Sequence, residues 1–135
     1  MSVEAILKTH PRPASVDPAA LARYIDECGA CEASCVVCAD ACTAEDDVIA
    51  MVRCIRLCLD CADACNSSLR LASRQTDPDF ATIRAAVEAC LAACRACAGE
   101  CERHARHHEH CRLCAAQCRA CERAASDLLG ELLHV

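Results

Sequence analysis

Seventeen of the 135 residues are cysteines, and their spacing is the feature of this chain most capable of chemistry. They fall into four runs: Cys28, Cys31, Cys35, Cys38 and Cys42; Cys54, Cys58, Cys61 and Cys65; Cys90, Cys94, Cys97 and Cys101; and Cys111, Cys114, Cys118 and Cys121. Every step within a run is three or four residues, the interval that returns a side chain to the same face of an α-helix. Positions that Leu or Ile hold in an ordinary bundle therefore carry sulfur, and all the thiols are expected to point inward. A single cysteine on such a face would read as a small buried hydrophobe. Seventeen on one face of four helices do not, because Ala, Val and Leu fill a core without the risk of oxidation.

Thiolate-rich sites take Cu(I), zinc or iron–sulfur clusters, so geometry and charge must choose among them. Cβ atoms at i and i+4 are about 5–6 Å apart, and two metal–sulfur bonds of about 2.3 Å each nearly bridge that gap. Cu(I), content with two or three soft ligands, suits this arrangement. Zinc needs four tetrahedral ligands in discrete sets, whereas the pairs here overlap without a break. Charge points the same way: one monovalent ion per thiolate leaves the interior neutral, while four zinc ions would neutralise only about eight thiolates. The compact Cys-x-x-Cys-x-x-Cys run of an iron–sulfur site is absent. The expectation is many Cu(I) ions per chain, about one per thiolate. A thiol-rich buffer for zinc or mixed soft metals stays open as an alternative. So does a redox or disulfide protein, although buried thiols without electropositive neighbours make poor nucleophiles. No cysteine stands apart with a general base and no cofactor fingerprint occurs, so an enzyme is not expected.

The elements that must position these residues are helices. Alternating apolar runs are missing, and with one Phe, one Tyr and no Trp the chain lacks a conventional aromatic core. Asp17-Pro18 and Asp77-Pro78 each place a capping side chain before a proline at the first helical position. Thr43 with Asp46 makes a weaker capping-box-like start. These signals predict helices from about Pro18 to Cys42, Ala44 to Ala72, Pro78 to Ala105 and His107 to Leu129, with a short extra helix within Met1 to Thr9. The ten-residue step from Cys101 to Cys111 would also suit one continuous helix. A turn is favoured because Arg103 to His110 has no large apolar residue and two antiparallel hairpins close a bundle most simply. The fold class is all-α, an antiparallel up-down four-helix bundle with a Cys-lined core. Residues 1–16 form an N-terminal extension and residues 17–135 the metal-binding domain.

Up-down topology puts the turns near Thr43 and Arg106 at one end of the bundle. The inward phase continues there through Met51, His104 and His107, with His108 and His110 nearby. Imidazole and thioether hold Cu(I) less tightly than thiolate, so Met51, His104 and His107 are candidate ligands of an uptake port. At the other end the same phase runs through Leu21, Tyr24, Phe80, Ile83, Val87, Leu128 and Leu132, an apolar plug expected to hold the metal-free fold together. His10 and His134 lie outside the lattice and are expected at the surface.

A formal charge of −6 with arginines interspersed among acids argues against a nucleic-acid partner. The start of the chain has no secretory signal and nothing later resembles a membrane span, so a cytoplasmic location with reduced thiols is expected. The repeated Cys-x-x-x-Cys and Cys-x-x-Cys steps over roughly Leu21 to Leu132 resemble those of the cytosolic bacterial copper storage proteins. That resemblance implies Cu(I) held mainly by bridging thiolates, a bundle folded before metal arrives, and a homotetramer. A copper chaperone is a candidate partner.

Overall fold

Asp17 begins the first long helix as the spacing predicts: its carboxylate accepts the Ala19 N–H at 3.3 Å, and Pro18 follows at the first helical position. The structure, a computed structural model, describes residues 2–135. Helix α1 (Val3–Lys8) is capped by Ser2 and lies against α2 (Pro18–Thr43). A 3₁₀ turn (Val48–Met51) leads into α3 (Val52–Ser73), followed by α4 (Phe80–His104) and α5 (Glu109–Leu132). Met1, within the expected first helix, lies outside the described residues.

Each long helix packs against its successor and α5 closes on α2, so the four form a square bundle with α2 opposite α4. Sulfur contacts set the directions: Cys54 meets Cys101 and Cys65 meets Cys90, which runs α3 against α4, while Cys28 meets Cys121 and Cys35 meets Cys114, which runs α2 against α5. Small buried residues beside the thiols, among them Ala39, Ala62, Ala98 and Ala115, flank the contacts between helices. Outside, Arg95, Glu122, Arg119 and Glu102 form a chain of ion pairs between α4 and α5 at 2.7–2.9 Å. Such exposed pairs contribute only about 0–1 kcal/mol each, so the interior sets the stability.

Three helix starts differ from the sequence reading, α5 beginning at Glu109 and not at His107. Thr43 ends α2 instead of capping α3, its hydroxyl donating to the Asp40 carbonyl at 2.6 Å. The next helix accordingly begins at Val52, after the 3₁₀ turn, and not at Ala44. Asp79, not Asp77, caps α4: it accepts the Thr82 N–H at 3.3 Å, while Asp77 sits at φ 50° in a left-handed turn that Asp tolerates. The break between α4 and α5 is real, with His108 extended at φ −136° before Glu109.

The apolar end of the bundle is closed. Leu21, Tyr24, Val87, Leu128 and Leu132 are buried, with Ile83 beside them and Phe80 packed against the edge. Tyr24 and Ser68 share a hydrogen bond within this plug, and burial pushes the Tyr24 phenol up from its ordinary pKa. His10 is partly buried and does not merely lie on the surface: its Nε2 stands 3.3 Å from the Thr76 hydroxyl, tying the extension to the α3–α4 turn. His134 is exposed.

Candidate metal centre

All 17 cysteines are buried free thiols, brought together by the heptad phase of α2 to α5 into one column along the bundle axis. Neighbouring sulfurs stand 3.6–4.0 Å apart, both across helices (Cys54 to Cys101, 3.6 Å; Cys31 to Cys61, 3.7 Å) and along them (Cys31 to Cys35, 3.9 Å; Cys61 to Cys65, 4.0 Å). Two metal–sulfur bonds of about 2.3 Å span about 4.0 Å at a trigonal angle and about 4.6 Å when collinear. The lattice therefore accepts a three-coordinate ion almost without movement. A two-coordinate ion needs each sulfur to give by roughly 0.3 Å, the difference left by those same bond lengths.

Four-sulfur groups recur along the column and share members. Cys65 and Cys121 belong both to a group with Cys28 and Cys90 and to one with Cys31 and Cys94; Cys35 and Cys118 belong both to a group with Cys31 and Cys61 and to one with Cys97 and Cys114. A tetrahedral ion that monopolised one group would take ligands from the next. Bridging thiolates, each shared between ions, use the whole column. Burial pushes the Cys42 thiol up to about 11, and a negative charge on Cys54 acts in the same direction; Cys111 beside them is raised for the same first cause. A soft cation that replaces the proton removes that penalty.

Where α2 ends and α5 begins, nitrogen joins sulfur. His110 Nδ1 lies 3.3 Å from Cys38 Sγ and 3.7 Å from Cys111 Sγ, while its Nε2 lies 3.1 Å from Glu45 Oε2. His104 Nε2 lies 2.9 Å from Glu100 Oε2, a carboxylate only 8 % exposed that also meets Arg103. His108 lies between Glu45 and Asp47, and its ring stacks at a tilt against His104 and His110 with centroids 6.4 and 5.7 Å away. Asp47 raises the His108 pKa above its ordinary value and is itself held below the usual carboxylate range by His108. Met51 is fully buried next to the first thiol level of α3.

A column of shared sulfurs with imidazoles at one end is the architecture on which comparison with known proteins decides. The family model described as "Copper storage protein" matches residues 17–130. The chain belongs to the copper storage protein family. Among solved structures, the copper storage protein Ccsp from Streptomyces lividans loaded with 10 copper equivalents matches with a TM-score of 0.94 at 45% identity, covering 96% of this chain and 99% of that one. A five-copper structure described as that organism's cytosolic copper storage protein matches at 0.81 with 48% identity, over 82% of this chain and 92% of its own. A variant of Streptomyces lividans Ccsp with one histidine changed to alanine matches at 0.86 with 46% identity, over 88% and 99%. The search of curated proteins returns no match.

Set within a copper storage bundle, the candidate ligands divide. The structure brings the cysteines together, with Met51 buried at their end and His104 partly buried above them. His107 is exposed in the turn, its backbone N–H bonded to the His104 carbonyl. The imidazole in contact with the thiols belongs to His110, which spacing alone left without a role. The signal that could have found it is adjacency: His110 immediately precedes Cys111 at the start of a helix.

Proposed function

We propose that this protein stores Cu(I), holding many ions on Cys28 to Cys121 as bridged thiolates, about one ion per thiolate, with no catalytic turnover. The observation that carries the reading is the column of 17 buried free thiols, most of them within 4.0 Å of another sulfur. The mouth supports uptake at that end. When Glu45 accepts the His110 Nε2–H, the Nδ1 lone pair faces Cys38 and Cys111 and can pass a soft ion to them. Met51 and His104 stand near as weaker transient ligands, and His107 is exposed enough to meet incoming ions first.

The cytosolic relative in Streptomyces lividans supports a cytosolic place for this chain. Among the described residues no helix is long and apolar enough to cross a membrane. A homotetramer and delivery by a copper chaperone complete the reading; exposed Val37, Val52, Leu113 and Ile49 offer apolar surface for association. Light scattering that gives the mass of a monomer would remove the tetramer.

The test is an anaerobic titration of reduced protein with Cu(I) against a chromophoric chelator. Tight binding near the cysteine count is expected, with proton release as thiols become thiolates. A few equivalents only, or a preference for zinc, would move the reading to a zinc buffer. In the same assay His110→Ala slows uptake at least several-fold while final capacity stays within about one ion, and His107→Ala slows it less. Equal rates in wild type and His110→Ala would sink the port.

A further inference from the structure

An ion that reaches the mouth along the bundle axis meets no sulfur. Cys42, Cys54 and Cys111, the outermost thiols there, are fully buried, Met51 is buried with them, and Glu45 Oε2 ties His108 to His110 across the turns. Of the 17 thiols only Cys38 and Cys114 show any exposure, 2 % each. They belong to neighbouring helices, α2 and α5, and both line one groove of about 330 Å³ at the side of the bundle. His110 lines the same groove, its Nδ1 3.3 Å from Cys38 Sγ, and Ala33, Val37 and Leu113 give it apolar walls.

Apolar walls over soft donors suit a cuprous ion that already carries soft ligands. A hard, hydrated cation would lose water there without gaining a partner. The volume is at the low end of the roughly 300–1,000 Å³ of small-ligand pockets, so a complex of a low-mass thiol fits. We propose that this groove is a side window of the sulfur column, through which Cu(I) enters as the bis-thiolate complex of a small thiol, with Cys38 the first protein sulfur it meets.

The exchange balances. One copper–sulfur bond to the carrier breaks as one to Cys38 forms, and the Cys38 proton leaves on the released thiolate as free thiol. From this point the column is reached in both directions: Cys38 belongs to a four-sulfur group with Cys54, Cys58 and Cys101, and Cys114 to one with Cys35, Cys97 and Cys118. Copper entry by this route rests on the storage reading; the window itself does not.

The window is tested first without copper. Reduced, metal-free full chain, in the assembly state that light scattering gives, receives a limiting dose of iodoacetamide, and the labelled positions are read by peptide mass spectrometry. Cys38 and Cys114 are expected to label about 10-fold faster than Cys42, Cys54 and Cys111, because access limits the reaction of buried thiols. Ala33→Phe, which fills the groove from an exposed helical position, slows labelling of both several-fold, and Leu113→Ala, which widens it, speeds labelling. First label on Cys42, Cys54 or Cys111, even labelling of all 17 thiols, or equal rates in the two variants would overturn the window; so would its closure by association through Val37 and Leu113. With the cuprous complex of 2-mercaptoethanol as donor, Ala33→Phe then slows uptake several-fold while final capacity stays at the wild-type value. An unaltered rate would overturn entry by this route. A low capacity in wild type counts against storage and leaves the labelling result standing.

Discussion

The two ends of this bundle use one helix phase for opposite purposes. From Leu21, Tyr24, Val87, Leu128 and Leu132 to one side, the inward stripe is branched or aromatic hydrocarbon; from Cys28, Cys65, Cys90 and Cys121 onward it is sulfur. A Leu side chain contributes about 1.5–3 kcal/mol on burial, and a cysteine offers less apolar surface. The plug therefore holds the bundle shut before metal arrives, and the sulfur column is left free to change its contacts as ions bind. The difference teaches that stability and capacity are separable along a single axis.

Truncation in the plug should produce the largest loss. Leu128→Ala, at a site 1 % exposed, is expected to lower the stability of the metal-free protein by about 2–5 kcal/mol in urea unfolding, with the copper capacity of the folded fraction unchanged. A loss of capacity matching the loss of stability would merge the two regions into one. The next effect separates metal-free from loaded protein. The Cys42 thiol keeps its proton in the folded chain up to about 11, whereas its unfolded value is 9.0. Between these values the folded state binds more protons than the unfolded one, so stability falls as pH rises. Loaded thiolates have no proton to keep, so a melting temperature that falls from pH 9 to 11 in metal-free protein should stay flat after copper loading. Tyr24→Phe follows, at about 1–3 kcal/mol, because it leaves the buried Ser68 hydroxyl without its cross-helix partner.

Much of this was legible from residues alone, and the failures share a cause. The three-and-four steps of cysteine placed every thiol, because helix phase is rigid within a helix. The same phase, carried backward from Cys111, put His107 inward, yet α5 starts at Glu109 and His108 is extended, so the phase ends two residues too late for His107. His110 then turns its ring toward Cys38 from the first turn of α5, a direction no periodicity encodes. Thr43 failed as a cap for a related reason. Glu45 and Asp47 bond across to His108 and His110, so the segment after α2 answers to the opposite turn and not to its own helix propensity. Between Asp77 and Asp79 the local signal was ambiguous, since either could precede a helix start.

The smallest effect on the metal-free fold should come from the column itself, and it sharpens the contrast most. Cys118 Sγ lies 3.8 Å from Cys31 and 3.7 Å from Cys35 and belongs to two overlapping four-sulfur groups. Cys118→Ala removes one sulfur, less than the methylenes lost in a Leu truncation, and should cost the metal-free protein no more than about 1 kcal/mol. Copper reverses the ranking. A thiolate shared between ions takes part in more than one site, so its loss should lower capacity by about one or two ions and cut the melting-temperature gain on loading, which scales with the ions bound only by the folded state. If Cys118→Ala and wild type gain equally on loading, the sulfurs at this level do not bridge, and the column would have to be read as a stack of independent sites.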